Sequence, residues 1–291
     1  MKEISGLLTA LATPFDGSGA VDLDAARRLA AYLLEHGSHG LVIAGSTGEC
    51  PTLTDEEEIE ILEAVRAEVG DDVLLICGTG TNDTRHSCEL TKMAAEAGAD
   101  ASLIVAPYYN KPNRAGLRAH FEAVSEAVPE LPMVMYNIPS RVVINMPPDL
   151  LEELGRDIDN IVAVKQANDD ELGPIEGLTV LAGNDNVFLR VLEFGGGGGI
   201  TVASHIVGDR MREMWDAAQA GEIEKARQID AEITPVYEAT SVTTNPIPLK
   251  AALEMLGLCA DRLRLPLVSA DAEQRAAIKA GLDAAGVAVA G

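Results

Sequence analysis

The sequence predicts an α/β protein with the (β/α)8 TIM-barrel fold and a small C-terminal helical region, on three observations. Eight short runs of β-branched or apolar residues recur along the chain, each followed by a longer segment of helical periodicity, the pattern of βα units in series. The first six runs start about thirty residues apart, roughly one strand, one helix and their loops. After about residue 225 the strand signal stops and only helical patterns continue.

The eight runs are residues 7–13, 40–44, 73–77, 101–106, 132–136, 161–165, 179–182 and 199–202. Helix starts fall between them where capping favours them. Thr54 precedes Asp55, Glu56 and Glu57, acids that suit the positive end of a helix dipole, and Pro147-Pro148-Asp149 opens another helix. A doubly wound open sheet would need a phosphate-binding glycine loop after its first strand, and Thr13-Pro14-Phe15-Asp16-Gly17 is not one. Residues 1–225 are therefore read as the barrel. Residues 226–291, with helical patterns at 224–241, 246–256 and 271–285, are read as the C-terminal helical region. The five glycines 195–199 precede a strand instead of opening a helix, so a helix C-cap followed by close backbone packing is expected there, not a phosphate loop. Residues 285–291 are expected to form a loosely held tail.

Asp and Glu number 46 against 22 Lys and Arg, a formal charge of −24 that repels nucleic-acid backbones and anionic membrane surfaces at long range. No apolar run approaches the roughly 20 residues of a membrane span, and no charged-then-apolar leader stands at the amino terminus. A soluble protein is expected, with no nucleic acid or membrane as partner. Cys50, Cys77, Cys88 and Cys259 form no CxxC pair, which argues against a zinc site or disulfide framework and for a reducing cytoplasm.

In a barrel of this kind the active site lies at the carboxyl ends of the strands. The sixth run ends in Lys165, which alternation lets point into the barrel mouth. Desolvation there lowers the pKa of a lysine and leaves more of the nucleophilic amine that Schiff-base chemistry needs. An exposed strand-end lysine, or one tied to a carboxylate, is the alternative. Gly45-Ser46-Thr47-Gly48 supplies hydroxyls and backbone N–H groups that suit a small carboxylate, or equally tie down a turn. Tyr136, Tyr108 and Tyr109 are three of five tyrosines, all at strand ends of one face. Their hydroxyls can pass protons, although a single tyrosine is more often a packing residue. Arg141 can fork onto a substrate carboxylate or simply form a surface ion pair.

Together, Gly45-Ser46-Thr47-Gly48-Glu49, Pro107-Tyr108-Tyr109-Asn110-Lys111-Pro112, Tyr136-Asn137-Ile138-Pro139-Ser140-Arg141 and Val164-Lys165 resemble the dihydrodipicolinate synthase and N-acetylneuraminate lyase family in order and spacing. The resemblance covers essentially the whole chain. It implies a (β/α)8 barrel with a C-terminal helical region, no cofactor, and an imine between Lys165 and pyruvate; no metal is expected either, since no Cys or His cluster offers a ligand set. Arg141 points to the synthase branch, in which an arginine at this place binds the carboxylate of aspartate semialdehyde. Another pyruvate-dependent aldolase or dehydratase, acting on a sugar acid, is the alternative. By the same resemblance, Tyr136, Ser46 and Tyr109 form a proton relay, with Tyr109 arriving from a neighbouring subunit of a dimer or tetramer. The N–H groups of Ser46 and Thr47 hold the pyruvate carboxylate, the backbone of Ile200 lines the same pocket, and Arg141 positions the second substrate. Ser46 stands where the synthases usually carry Thr, and Gln166-Ala167-Asn168 follows the lysine in place of the commoner Glu-Ala-Thr. Feedback by L-lysine in sensitive members uses a site matched by Tyr108 and Asn82. Here Asp55 and Glu58 replace histidines and His86 replaces a glutamate, so weak or absent inhibition is expected, with a Glu58–His86 pair as one arrangement.

Overall fold

The computed structural model describes residues 2–289. Eight strands, β1 (Gly6–Ala10), β2 (Gly40–Ile43), β3 (Leu74–Gly78), β4 (Ala101–Val105), β5 (Met133–Asn137), β6 (Ile161–Gln166), β7 (Thr179–Ala182) and β8 (Gly198–Thr201), close into one parallel barrel in sequence order. All eight expected runs are strands: β7 has the expected bounds, and the ends of the others lie within three residues of those expected. The largest displacement is in β1, which ends at Ala10 where a strand through residue 13 was expected.

Helices α1 (Leu23–Glu35), α2 (Asp55–Val69), α3 (Thr84–Glu96) and α4 (Arg114–Ala127) follow the first four strands. The single turn α5 (Pro139–Val142) and α6 (Pro148–Asp157) follow β5, and α7 (Phe188–Glu193) and α8 (Ser204–Gln219) follow β7 and β8. The sixth unit departs from the expected pattern. Between β6 and β7 stands only the 3₁₀ turn Asp169–Glu171, because the segment is short and broken by Gly173, Pro174 and Gly177.

Thr54 caps α2 as its sequence suggests: its hydroxyl accepts from Glu57 N–H while the Glu57 carboxylate accepts from Thr54 N–H, satisfying two donors that the helix cannot. Pro147 precedes Pro148 at the first turn of α6. The glycine run behaves as expected. Gly195 (φ +80°) ends α7, with its N–H and that of Gly196 returning to Leu192 and Val191 carbonyls. At Gly198 (φ +100°), where β8 meets β1, a Cβ would lie 2.2 Å from the Gly6 carbonyl oxygen.

Three more helices, α9 (Ile223–Ala239), α10 (Ile247–Met255) and α11 (Ala272–Ala284), complete the chain. α9 starts two residues before the boundary drawn at 225 and packs along α8. The tail is less loose than its composition suggests. Gly286 (φ +71°) closes α11, Val287 N–H bonds to Leu282 O at 2.9 Å, and Val287 and Val289 pack against the core. Ala290 and Gly291 lie outside the described residues. Among the described residues no helix is long and apolar enough to cross a membrane, and the four cysteines are free.

Candidate active site

The strand ends on the carboxyl face surround a cleft of about 510 Å³ lined by Ser46, Thr47, Tyr136, Arg141, Lys165 and Asp185 among others. Lys165 and Tyr136 come together because β5 and β6 pair in register, Tyr136 beside Lys165. Lys165 is only 7% exposed, and its Nζ stands 4.4 Å from the centroid of the Tyr136 ring. Burial lowers its ammonium to a pKa of about 8, opposed by the nearby Asp185 carboxylate and assisted by the positive charge of Arg141. Burial likewise pushes the Tyr136 phenol up to about 12, with Arg141 and the polar approach of Ser46 acting the other way. Tyr136 is therefore a neutral hydroxyl at physiological pH, able to donate and to accept.

The turn after β2 is built by Ala44 in the left-handed region (φ +53°) and by bonds from Gly48 N–H and Cys50 N–H to Gly45 O. Glu49 N–H bonds to Ser46 O. This leaves Ser46 N–H and Thr47 N–H without an acceptor among the described residues, both on residues that line the cleft. Two adjacent unpaired donors form a ready cradle for an anion. The Thr47 hydroxyl accepts from Asn245 Nδ2 at 2.9 Å, and the Asn245 carbonyl accepts from Arg141 Nη2 at 3.0 Å. Arg141 itself, on α5, is exposed and free to swing its remaining donors toward the cleft.

Neither Ile200, whose backbone was expected to line the pocket, nor Tyr109, expected to come from a second copy, is among the residues lining this chain's cleft. Ile200 lies in β8, buried in the barrel core and paired with Leu8, and the cleft is lined by Val202 in its place. Tyr109 is 86% exposed at the tip of a tight turn, with φ +71° and Asn110 N–H bonded back to Tyr108 O. A non-glycine residue held in that region is strained, a cost that surrounding structure must hold in place. Here Asn110 Nδ2 anchors the loop on Asn82 O at 2.8 Å.

Sequence reasoning missed Asn245 and Asp185. Asp185 accepts from the N–H groups of Val202 (2.8 Å) and Ala203 (3.0 Å), fixing the loop after β8. Burial raises its carboxyl above the ordinary range, opposed by those two donors and by Lys165. Gly183-Asn184-Asp185 directly after β7 was the available signal, a polar strand end of the same kind as the others. Nothing local marks Asn245. The cavity next to the cleft, shared through Ser46 and Tyr136, reaches Tyr108, Asn82, Asp55 and Glu58. There His86 Nε2 pairs with Asp55 at 2.9 Å and not with Glu58, which is buried and whose pKa is raised to about 9 by burial and then by Asp55.

The dihydrodipicolinate synthetase family model matches residues 3–285. The 4-hydroxy-tetrahydrodipicolinate synthase of Moorella thermoacetica is 45% identical, over 97% of this chain and 98% of that protein. Among solved structures, DHDPS from Cyanidioschyzon merolae with lysine bound superposes with a TM-score of 0.92 at 38% identity, over 97% of this chain and 98% of that one. The chloride-inhibited dihydrodipicolinate synthase of Acinetobacter baumannii complexed with pyruvate gives 0.94 at 34% identity, over 98% of this chain and 100% of that one. With the match running through every strand of the barrel and every strand-end motif described above, the chain belongs to the dihydrodipicolinate synthetase family.

Proposed function

We propose that the protein is an enzyme that condenses pyruvate with L-aspartate 4-semialdehyde to give 4-hydroxy-tetrahydrodipicolinate, the activity named for its relatives. The observation that carries this reading is Lys165, buried at the end of β6 against Tyr136 with its pKa brought down to about 8. An amine that is partly neutral near pH 7 can attack the pyruvate carbonyl. Loss of water leaves an imine on Nζ. The protonated imine withdraws electrons, a methyl proton leaves, and the resulting enamine carbon attacks the aldehyde. The amine of the second substrate then adds to the imine carbon, closes the ring and expels Lys165 as free amine.

The unpaired N–H groups of Ser46 and Thr47 fit the pyruvate carboxylate, and Arg141 fits the carboxylate of the semialdehyde. Tyr136, Ser46 and Tyr109 are assigned the proton transfers, with Tyr109 supplied by a second copy of the chain. Its exposure in the single chain and its strained, anchored turn support that assignment. The protein is accordingly expected to act as a dimer or a pair of dimers.

Borohydride reduction in the presence of pyruvate tests the chemistry, because reducing the imine gives a permanent amine linkage. Peptide mapping is expected to find the adduct on Lys165. An adduct on Lys111 or Lys250, or none, overturns the reading.

A further inference from the structure

Lys250, in the middle of α10, has no exposed surface and no part in the reaction proposed above. Its Nζ stands 2.5 Å from Glu49 Oε1 in a fully buried ion pair. It also donates to Arg262 O at 2.6 Å and lies 4.2 Å from the centroid of the Phe15 ring. Glu49 is as deeply buried, and its other oxygen accepts from Arg264 N–H at 3.0 Å. Two charges withdrawn from water are a costly way to hold two helices together, and an apolar pair of the same volume does it as well or better. What an apolar pair cannot do is fix one backbone position from several directions at once.

Glu49 is the last residue of the turn that presents the unpaired N–H groups of Ser46 and Thr47. It is a non-glycine residue in the left-handed region (φ 59°, ψ 33°), a conformation that persists where surrounding contacts over-determine it. Its N–H bonds to Ser46 O at 3.2 Å, so the anchor and the donors are two ends of one hydrogen-bonded unit. Gly48 O is tied to Thr13 Oγ1 at 2.7 Å, and Thr47 Oγ1 to Asn245 at 2.9 Å. Lys250 lies in α10 and Asn245 in the turn that leads into it. The turn is therefore held from the barrel by Thr13 and from the C-terminal helices by Asn245 and Lys250.

We propose that Lys250 is a positioning residue for the 2-oxo acid: through Glu49 it holds the turn at residues 45–49 so that the Ser46 and Thr47 N–H groups converge on the carboxylate. This rests on the reading of that turn as the pyruvate carboxylate site. The C-terminal helices thereby take part in recognising the first substrate, while the second substrate meets Arg141.

The readout is the pyruvate concentration that half-saturates borohydride trapping on Lys165, set beside the KM for aspartate semialdehyde. Lys250→Met keeps an unbranched side chain one atom shorter and removes the charge. It is expected to raise the pyruvate half-saturation by about ten-fold, because the two N–H donors lose their fixed aim at the carboxylate, and to move the semialdehyde KM by less than about two-fold. Glu49→Gln, which keeps an acceptor for Arg264 N–H, is expected to shift the same quantity in the same direction by a smaller factor. Should either single variant fail to fold by circular dichroism, the Glu49→Gln/Lys250→Met double variant, which leaves no buried charge unpaired, carries the measurement. Trapping in the unsubstituted protein with an unchanged pyruvate half-saturation in the folded variants overturns the proposal alone, as does an equal rise in both substrate constants. No trapping in the unsubstituted protein withdraws the pyruvate reading and the ligand named here with it.

Discussion

Lys165 reports its environment through its pH dependence. Burial favours the neutral amine, so imine formation at subsaturating pyruvate is expected to rise about ten-fold per pH unit below a midpoint near 8 and level off above it. Asp185 opposes that shift, and Asp185→Asn is expected to move the midpoint to lower pH. Stopped-flow measurement between pH 6 and 9 checks both, and a flat profile contradicts them. Arg141 acts on the other substrate. Arg141→Ala removes a charged donor, and a ten- to hundred-fold fall in kcat/KM for aspartate semialdehyde is expected, from about 1.5–3 kcal/mol. Trapping of pyruvate on Lys165 should survive in that variant. Activity equal to the unsubstituted protein would instead favour a sugar-acid substrate.

At the scale of elements, the glycine run before β8 separates two reasons for one residue type. Gly195 ends α7 with open space around it, whereas Gly198 combines positive φ with a seam so tight that any Cβ collides with the β1 backbone. Gly195→Ala is expected to cost about 1 kcal/mol from backbone strain alone. Gly198→Ala adds overpacking to the same strain and is expected to cost roughly 2–5 kcal/mol. Denaturant titration of the two variants side by side checks the order, and equal losses would place the seam elsewhere. The run could be read correctly from the sequence because a phosphate loop must open a helix, and this one opens a strand. The missing sixth helix was harder to see, since the strand periodicity on either side is intact and only the intervening length falls short.

For the molecule as a whole, the cavity beside the cleft bears on regulation. Its two carboxyl groups at the histidine positions are poorly placed to receive a cation: Asp55 is already paired with His86, and Glu58 is held protonated at neutral pH. Inhibition by L-lysine is therefore expected to be weak or absent. Titration to about 10 mM at near-saturating pyruvate tests this, and half-inhibition below roughly 0.5 mM, a binding free energy near −4.5 kcal/mol, would contradict it. The helices after β8 meanwhile do more than cover the barrel. Through Asn245, in the connection between α9 and α10, they reach both Thr47 and Arg141, residues expected to meet different substrates.

Periodicity along the chain determined the barrel, since alternation and helical spacing report which faces are buried, and burial is what each βα unit must satisfy locally. It also placed Ser46, Thr47, Tyr136, Arg141 and Lys165 at strand ends, where this fold gathers its chemistry. Only the tertiary structure decided which polar groups meet. Asn245 and Thr47 are 198 residues apart in sequence, and nothing in the neighbourhood of either residue encodes the other. Lys250 reads as one polar position in a helix until its partner Glu49 is brought beneath it. Ile200 shows the converse: its place in the strand was legible, but its burial among the core residues is decided by the neighbouring strands that close the barrel around it.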